Sequence, residues 1–111
     1  MNPQKRSLAE VVMQRHPGTD LSGRPFSEAQ VELVWQHVVG GLGNSRYKKD
    51  PCGATISRDE YGKKSEYGWE IDHIIPISSG GGDNLKNLQA LHWENNRAKG
   101  DDYPKWVCKR I

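Results

Sequence analysis

The residues best suited to hydrolytic chemistry lie between positions 68 and 101. His73 directly follows Asp72, and an imidazole that titrates near neutral pH can take a proton from a water molecule. The Asp72 carboxylate and the amide oxygen of an asparagine from the run Asn95-Asn96 form a sparse site for a hard divalent cation. Such a site leaves positions for water and for a phosphate, so these residue types favour metal-assisted hydrolysis of a phosphate ester.

Two strands are predicted beside these side chains. Residues alternate as in a strand from Trp69 to His73, and Leu88 to Leu91 is suited to return as a second strand. Pro76 and the three glycines Gly80–Gly82 predict a long, compact loop between the two strands.

A short helix is expected over Trp93 to Lys99, with Gly100 at its C-terminal end. Packed across the strand pair, this helix could bring an asparagine side chain opposite Asp72. Neighbouring residues on a strand point to opposite faces. Asp72 and His73 can therefore face one pocket only if the strand ends or bends there, and Pro76 makes such an irregularity plausible.

The segment from Gly68 to Asp101 resembles the HNH endonuclease family, whose fold is the ββα-metal finger. It covers roughly a third of the chain, and its spacing also looks like that of the HNH domains of CRISPR effector proteins: fourteen positions from His73 to Asn87 and nine from Asn87 to Asn96. The matching positions are Glu70, Asp72, His73, Ile74, Pro76, Gly80, Gly81, Asn87, Leu88, Asn96, Lys99, Gly100 and Asp101.

The resemblance implies a role for each residue of the motif. His73 would be the general base that activates water, and Asp72 and Asn96 would hold a divalent metal, Mg²⁺ or Mn²⁺. Asn87 would pin the loop and orient His73 through a backbone carbonyl. The implied activity is DNA cleavage, which we expect to be nicking with weak sequence preference.

Arg97 and Lys99 lie close to these residues in the predicted helix, and we expect them to contact DNA phosphates. Basic residues at the end of a helix also interact favourably with the helix dipole, which is an alternative explanation for both.

Many members of the family carry two cysteine pairs that bind a structural zinc. In this chain the corresponding positions are Cys52, Thr55, His92 and Asn95. One thiol, one imidazole and weak oxygen donors do not hold zinc firmly, so we expect no structural zinc. For His92 we expect a structural hydrogen-bonding role near Cys52; a place near the catalytic metal, one helical turn before Asn96, is the alternative.

Two helices are predicted in the N-terminal part of the chain. The first covers Ser7 to Arg15, and the second begins at Ser27, which forms a capping box with Gln30. Phe26 and Val31 occupy the positions of a hydrophobic staple for the second helix. Gly40-Gly41 is expected to end it.

A glycine-containing loop is expected from Gly40 to Asp50, and it lacks the ending of a phosphate-binding loop. A strand over Cys52 to Arg58, a turn over Asp59–Lys64 and a return strand near Glu66–His73 should follow it. The fold class expected is α+β, as a single domain over residues 1–111. Residues 1–44 would form its helical part and residues 68–101 its ββα-metal motif.

The composition favours a polar-surfaced protein whose partner is DNA. The mean hydropathy is −0.85, and the net charge of +2 lies in the residues after position 44, because residues 1–44 carry four basic and four acidic side chains. Two cysteines cannot build a disulfide framework, and there is no signal-peptide pattern and no transmembrane run. We therefore expect a reduced, cytoplasmic monomer or weak dimer that does not bind membranes.

Two other functions draw on the same residues. A non-catalytic nucleic-acid-binding module on the same fold would be favoured if His73 or a metal ligand were missing, and none is missing. A structural zinc or protein-interaction module would use Cys52, Cys108, His92 and His37.

Overall fold

The computed structural model describes residues 16–41 and 46–111. Within them the chain forms a mixed α/β domain with two α-helices and two small antiparallel sheets. The elements are α1 (Glu28–Gln36), β1 (Gly40–Gly41), β2 (Tyr47–Lys49), β3 (Thr55–Ser57), β4 (Trp69–His73), β5 (Leu88–His92) and α2 (Trp93–Lys99), with 3-10 turns at Arg58–Glu60, Ile77–Ser79 and Leu85–Asn87. The predicted helix over Ser7 to Arg15 lies outside the described residues.

Helix α1 begins as its sequence predicts. The Ser27 hydroxyl accepts a hydrogen bond from the Gln30 backbone N–H, and the Gln30 side chain accepts one from the Ser27 N–H, so the capping box is confirmed. Phe26 and Val31 are both buried in the core, as a hydrophobic staple requires. The expected end at Gly40-Gly41 is wrong, because α1 ends at Gln36.

The first sheet has the order β1-β2-β3, with both pairs antiparallel. The prediction of a loop from Gly40 to Asp50 is therefore wrong at both ends, where β1 and β2 form. The predicted strand over Cys52 to Arg58 is confirmed in its central part as β3. It pairs with β2 instead of with the return strand, since Asp50 accepts hydrogen bonds from the Cys52 and Ala54 N–H groups and closes a tight turn.

The second sheet is the antiparallel pair β4-β5, with Trp69 opposite His92 and His73 opposite Leu88. Both predicted strands are thereby confirmed, and so is the helix that follows them. Helix α2 ends at Lys99, where Gly100 adopts a positive φ of 52°. That backbone conformation favours glycine.

The two faces of this second sheet meet different parts of the chain. Trp69 and Ile71 belong to the hydrophobic core with α1, and the Trp69 ring lies 5.3 Å from that of Trp35. The alternate residues Glu70 and Asp72 bond to side chains of α2 on the opposite face. The core consists of Phe26, Val31, Val34, Trp35, Ile56, Trp69, Ile71, Leu88 and Ala90.

The C-terminal segment is fixed to the domain by a disulfide and a buried side chain. Cys52 and Cys108 are joined, with their Cα atoms 5.9 Å apart, so the expectation of reduced cysteines is wrong. The spatial proximity of two residues 56 positions apart could not be seen in the sequence. Asn95 also accepts hydrogen bonds from the backbone N–H groups of Lys109 and Arg110.

None of the described helices is both long and apolar enough to cross a membrane.

Candidate active site

An open cavity of about 400 Å³ lies at the end of β4. Asp72 and His73 both line it, although neighbouring strand residues point to opposite faces. They can do so because β4 ends at His73 and the chain turns at Pro76. The remaining lining residues are His16, Pro17, Gly18, Thr19, Ile71, Pro76, Ile77, Ser78, Asn96, Arg97, Gly100 and Asp101.

The His73 ring is held from two sides. Its Nε2 lies 2.7 Å from the Asp83 carboxylate, in the glycine-rich loop between β4 and β5. The Phe26 ring packs against the imidazole, with the ring centres 5.9 Å apart. Only 9% of the His73 side chain is exposed, so its orientation is well defined by these contacts.

The Asp72 carboxylate is buried beside two nitrogen donors. Gln89, its cross-strand partner on β5, donates from Nε2 at 2.9 Å, and the Lys99 ammonium lies 3.2 Å away. Burial raises the pKa of the Asp72 carboxyl above its ordinary value, and the contacts with Gln89 and Lys99 oppose this shift. The two donors thus stabilise the ionised form that a metal ligand must adopt.

The Asn96 side chain is oriented by Glu70. Its Nδ2 donates to the Glu70 carboxylate at 3.0 Å, which turns the amide oxygen away from Glu70. Within the described part of the chain this oxygen has no hydrogen-bond partner, and it is not fully enclosed by protein. Asn96 lines the cavity with Asp72, and the amide oxygen is free to act as a ligand there.

Arg97 and Lys99 occupy different environments. The Arg97 guanidinium pairs with Glu70 at 3.0 Å but stays 37% exposed at the cavity, where a phosphate could reach it. The Lys99 side chain is only 1% exposed, and its ammonium donates to the His73 carbonyl at 3.0 Å as well as contacting Asp72. The expectation that Lys99 contacts DNA is incompatible with this burial, and the residue instead joins Asp72 to the end of β4.

Asn87 ties the glycine-rich loop together with three hydrogen bonds. It accepts from the Ile75 N–H at 2.8 Å and donates to the carbonyls of Ile75 and Gly82 at 3.1 and 2.9 Å. Gly81 is required in this loop, since a Cβ there would lie 1.7 Å from the Ile75 carbonyl oxygen. Asn87 thus pins the loop, and its own backbone carbonyl accepts from the Ile74 N–H at 2.8 Å instead of from the His73 ring.

His92 lies away from the cavity in a network around Asp50. Its ring accepts from the Glu94 N–H and contacts the Glu66 carbonyl, and its own backbone N–H donates to Asp50. The buried Asp50 carboxylate also accepts from the backbone of Cys52 and Ala54 and from the Asn95 amide. Among the described residues, no group of three or more His, Cys, Asp or Glu side chains could hold a metal ion.

A comparison with known protein families identifies this arrangement. The sequence model of the HNH endonuclease family matches residues 52–102. Residues 52–102 thus carry an HNH endonuclease domain. The HNH segment contains β3, β4, β5 and α2, and it therefore includes Asp72, His73, Asn87 and Asn96. No curated protein and no solved structure matches the chain.

An HNH domain indicates nuclease activity in general, and HNH nucleases act on nucleic acids. Two residues that hold the HNH site were not singled out by the sequence analysis, namely Gln89 as a partner of Asp72 and Asp83 as a partner of His73. Glu70 was part of the motif, but its role as a partner of Asn96 was not predicted. The strand register could have indicated Gln89, because it fixes the residue opposite Asp72. For Asp83 the only signal was its place directly after Gly80–Gly82.

Proposed function

We propose that the protein is a metal-dependent DNA endonuclease with the ββα-metal arrangement formed by β4, β5 and α2. The observation that carries the proposal is that Asp72 and His73 at the end of β4 and Asn96 on α2 line one open cavity. A general base and two oxygen ligands on one wall of a cavity are what hydrolysis of a phosphodiester requires.

The residues at the cavity fit a hard divalent cation. The Asp72 carboxylate and the free amide oxygen of Asn96 are oxygen donors, which Mg²⁺ and Mn²⁺ prefer. Two protein ligands suit an ion that keeps several waters and accepts a phosphate oxygen. Such an ion, when bound, supplies Lewis-acid stabilisation of charge on the phosphate and on the departing oxygen.

His73 accepts the proton of the attacking water in this proposal. Its burial and its contacts with Asp83 and Phe26 hold the ring in one orientation at the cavity wall. Arg97, exposed at the same cavity, contacts a phosphate of the bound strand. Asn87 keeps the loop closed, so that the groups around the base are in place before DNA binds.

The expected product is nicked DNA with little sequence preference. One base and one metal site serve one strand in each encounter, and the described residues contain no separate base-reading module such as a helix-turn-helix. Binding through phosphates should weaken as the salt concentration rises. Monomer or weak dimer is the assembly that agrees with this pattern.

The test is incubation of supercoiled plasmid with the purified protein in Mg²⁺, in Mn²⁺ or in excess EDTA. The proposal predicts nicked circles in both metals before linear DNA, and intact supercoiled plasmid in EDTA. Equal cleavage by metal-stripped protein in EDTA would contradict the metal requirement. A few unique double-strand breaks with a fixed stagger would contradict the nicking pattern.

A further inference from the structure

The mechanism so far uses the Asp83 carboxylate only to orient the His73 ring. Asp83 Oδ1 lies 2.7 Å from His73 Nε2, and both oxygens of Asp83 accept from the Leu21 backbone N–H at 3.1 Å. The Asp83 side chain is 29% exposed, so the carboxylate is partly screened from water. Its two contacts join the N-terminal segment, the glycine-rich loop and the end of β4.

We propose that Asp83 is a positioning residue that holds His73 in the Nε2–H tautomer and leaves Nδ1 as the proton acceptor. This inference rests on the proposed function, because it assigns the atom of His73 that meets the attacking water. It adds Asp83 and the backbone of Leu21 to the groups on which the reaction depends.

The tautomer follows from which atoms can donate. An ionised carboxylate only accepts hydrogen bonds, so Nε2 must carry the proton in the contact with Asp83. A neutral imidazole has one donor and one acceptor nitrogen, which makes Nδ1 the acceptor. The contact is similar to that in a catalytic triad, in which a carboxylate fixes the tautomer and the orientation of the histidine base.

Nδ1 is also the nitrogen that water can reach. It has no hydrogen-bond partner in the described part of the chain, and the buried side-chain atom left unpaired there is the Ser65 hydroxyl. Nδ1 is therefore not fully enclosed by protein, and His73 lines the same cavity as Asp72 and Asn96. A proton acceptor at this place faces the space in which water and phosphate must meet.

Asn87 acts on His73 through the same carboxylate. Its Nδ2 donates to the Gly82 carbonyl, one residue before Asp83, and this bond fixes where the Asp83 side chain leaves the loop. The chain of contacts runs from Asn87 through Gly82 and Asp83 to the His73 ring. The orientation of His73 by Asn87, expected through a carbonyl, thus takes place through the loop and Asp83.

Asp83→Asn is the most direct variant for kinetics. The amide can still accept from Leu21 N–H, but its NH₂ group donates to Nε2 and so favours the Nδ1–H tautomer, in which Nδ1 can no longer take a proton from water. We expect kcat to fall by about 10²-fold or more, within the range that a general base contributes, and KM for a DNA duplex to change by less than about threefold. Asp59→Asn, an exposed carboxylate outside the cavity, is the matched control and should leave both constants unchanged.

The ring tautomer is measured directly by ¹⁵N NMR of the full-length protein at about pH 8.5, well above the ordinary imidazole pKa of about 6.5. His73 should show the Nε2–H pattern in the parent protein and the Nδ1–H pattern in Asp83→Asn. An Nδ1–H tautomer in the parent would overturn the inference even if the protein cuts DNA. An active parent whose Asp83→Asn variant keeps kcat within threefold would also overturn it, whereas an inactive parent would overturn the proposed function itself.

Discussion

The reactive side chains of the cavity each depend on a partner from another element. Asp72 is held by Gln89 and Lys99, His73 by Asp83, and Asn96 by Glu70. Such supporting contacts fix the geometry of a site before its ligand binds, which is a general requirement for hydrolytic catalysis. Substitution of a partner should therefore affect cleavage almost as strongly as substitution of a reactive residue.

Lys99 should contribute to stability more than to DNA affinity. Lys99→Ala leaves the buried Asp72 carboxylate and the His73 carbonyl without their ammonium partner, which should lower the free energy of unfolding by about 3 kcal/mol. Urea denaturation followed by tryptophan fluorescence measures this change. Lys105→Ala, at an exposed position, is the control and should stay within about 0.5 kcal/mol of the parent. Equal stability of the two variants would show that Lys99 is not buried against Asp72.

We expect cleavage to be impaired even when Asn87 is replaced by aspartate, which has nearly the same shape. Asn87→Asp keeps the acceptor for Ile75 N–H but places a carboxylate against the carbonyls of Ile75 and Gly82, so kcat should fall by about 10²-fold or more. Asn84→Asp is the matched control, because exposed Asn84 only accepts a hydrogen bond, from Lys86 N–H. Plasmid cleavage at several enzyme concentrations compares the two; equal loss or equal retention of activity would contradict this role.

The sequence indicates the reactive residues but not the residues that hold them. Asp72, His73 and Asn96 can be recognised because the chemistry limits their types and spacing. Glu70, Gln89 and Asp83 can be replaced by other donors or acceptors, and their roles depend on strand register and loop closure. Those properties come from contacts distant in sequence, which a local pattern does not contain.

At the scale of elements, the ends of helices that are set by neighbouring residues were predicted correctly, whereas strand pairing was predicted only in part. The start of α1 at Ser27 and the end of α2 at Gly100 are specified by local capping, and both agree with the sequence. The pairing of β2 with β3 and of β4 with β5 depends on distant partners. The pair of β4 and β5 was expected from the sequence, whereas nothing local indicated that β3 would pair with β2 instead of with the return strand.

Hydrogen bonds to the buried Asp50 carboxylate connect several of these elements. Its carboxylate accepts four hydrogen bonds, from the backbone of Cys52, Ala54 and His92 and from the Asn95 amide. Cys52, His92 and Asn95 are at positions that correspond to zinc-binding cysteines in many HNH proteins. Asp50→Ala leaves these buried donors unsatisfied, so the free energy of unfolding should fall by about 3–5 kcal/mol. Denaturant titration checks this value, with exposed Asp59→Ala as a control that should change it by less than about 1 kcal/mol. A small change in the free energy of unfolding for Asp50→Ala would contradict this structural role of the carboxylate.

At the scale of the whole molecule, we propose that the core and the hydrogen bonds of Asp50 make a structural metal unnecessary. The core joins α1 to both sheets through Trp35, Ile56 and Trp69. His92 and Asn95, at the positions of two zinc cysteines in related proteins, are already bonded to Glu66, Asp50 and the C-terminal backbone. The fold should therefore not depend on zinc.

Chelation gives the corresponding prediction. Treatment with excess EDTA should leave the melting temperature within about 2 °C of its original value, while DNA cleavage is lost. Elemental analysis of the purified protein should find far less than about one zinc per chain. One tightly held zinc per chain, or unfolding on chelation, would contradict the prediction and would make His92 and Cys52 candidate ligands.

The central claim, that His73 is the general base of a nuclease, is tested most directly by plasmid cleavage with two histidine variants. His73→Ala removes the base at the cavity, whereas His37→Ala removes an exposed histidine at the end of α1, away from that cavity. In Mg²⁺ or Mn²⁺, His37→Ala should nick supercoiled DNA like the parent, and His73→Ala should be about 10²–10⁴-fold slower while it still folds and binds DNA. Cleavage by His73→Ala within a few-fold of the parent would contradict the claim.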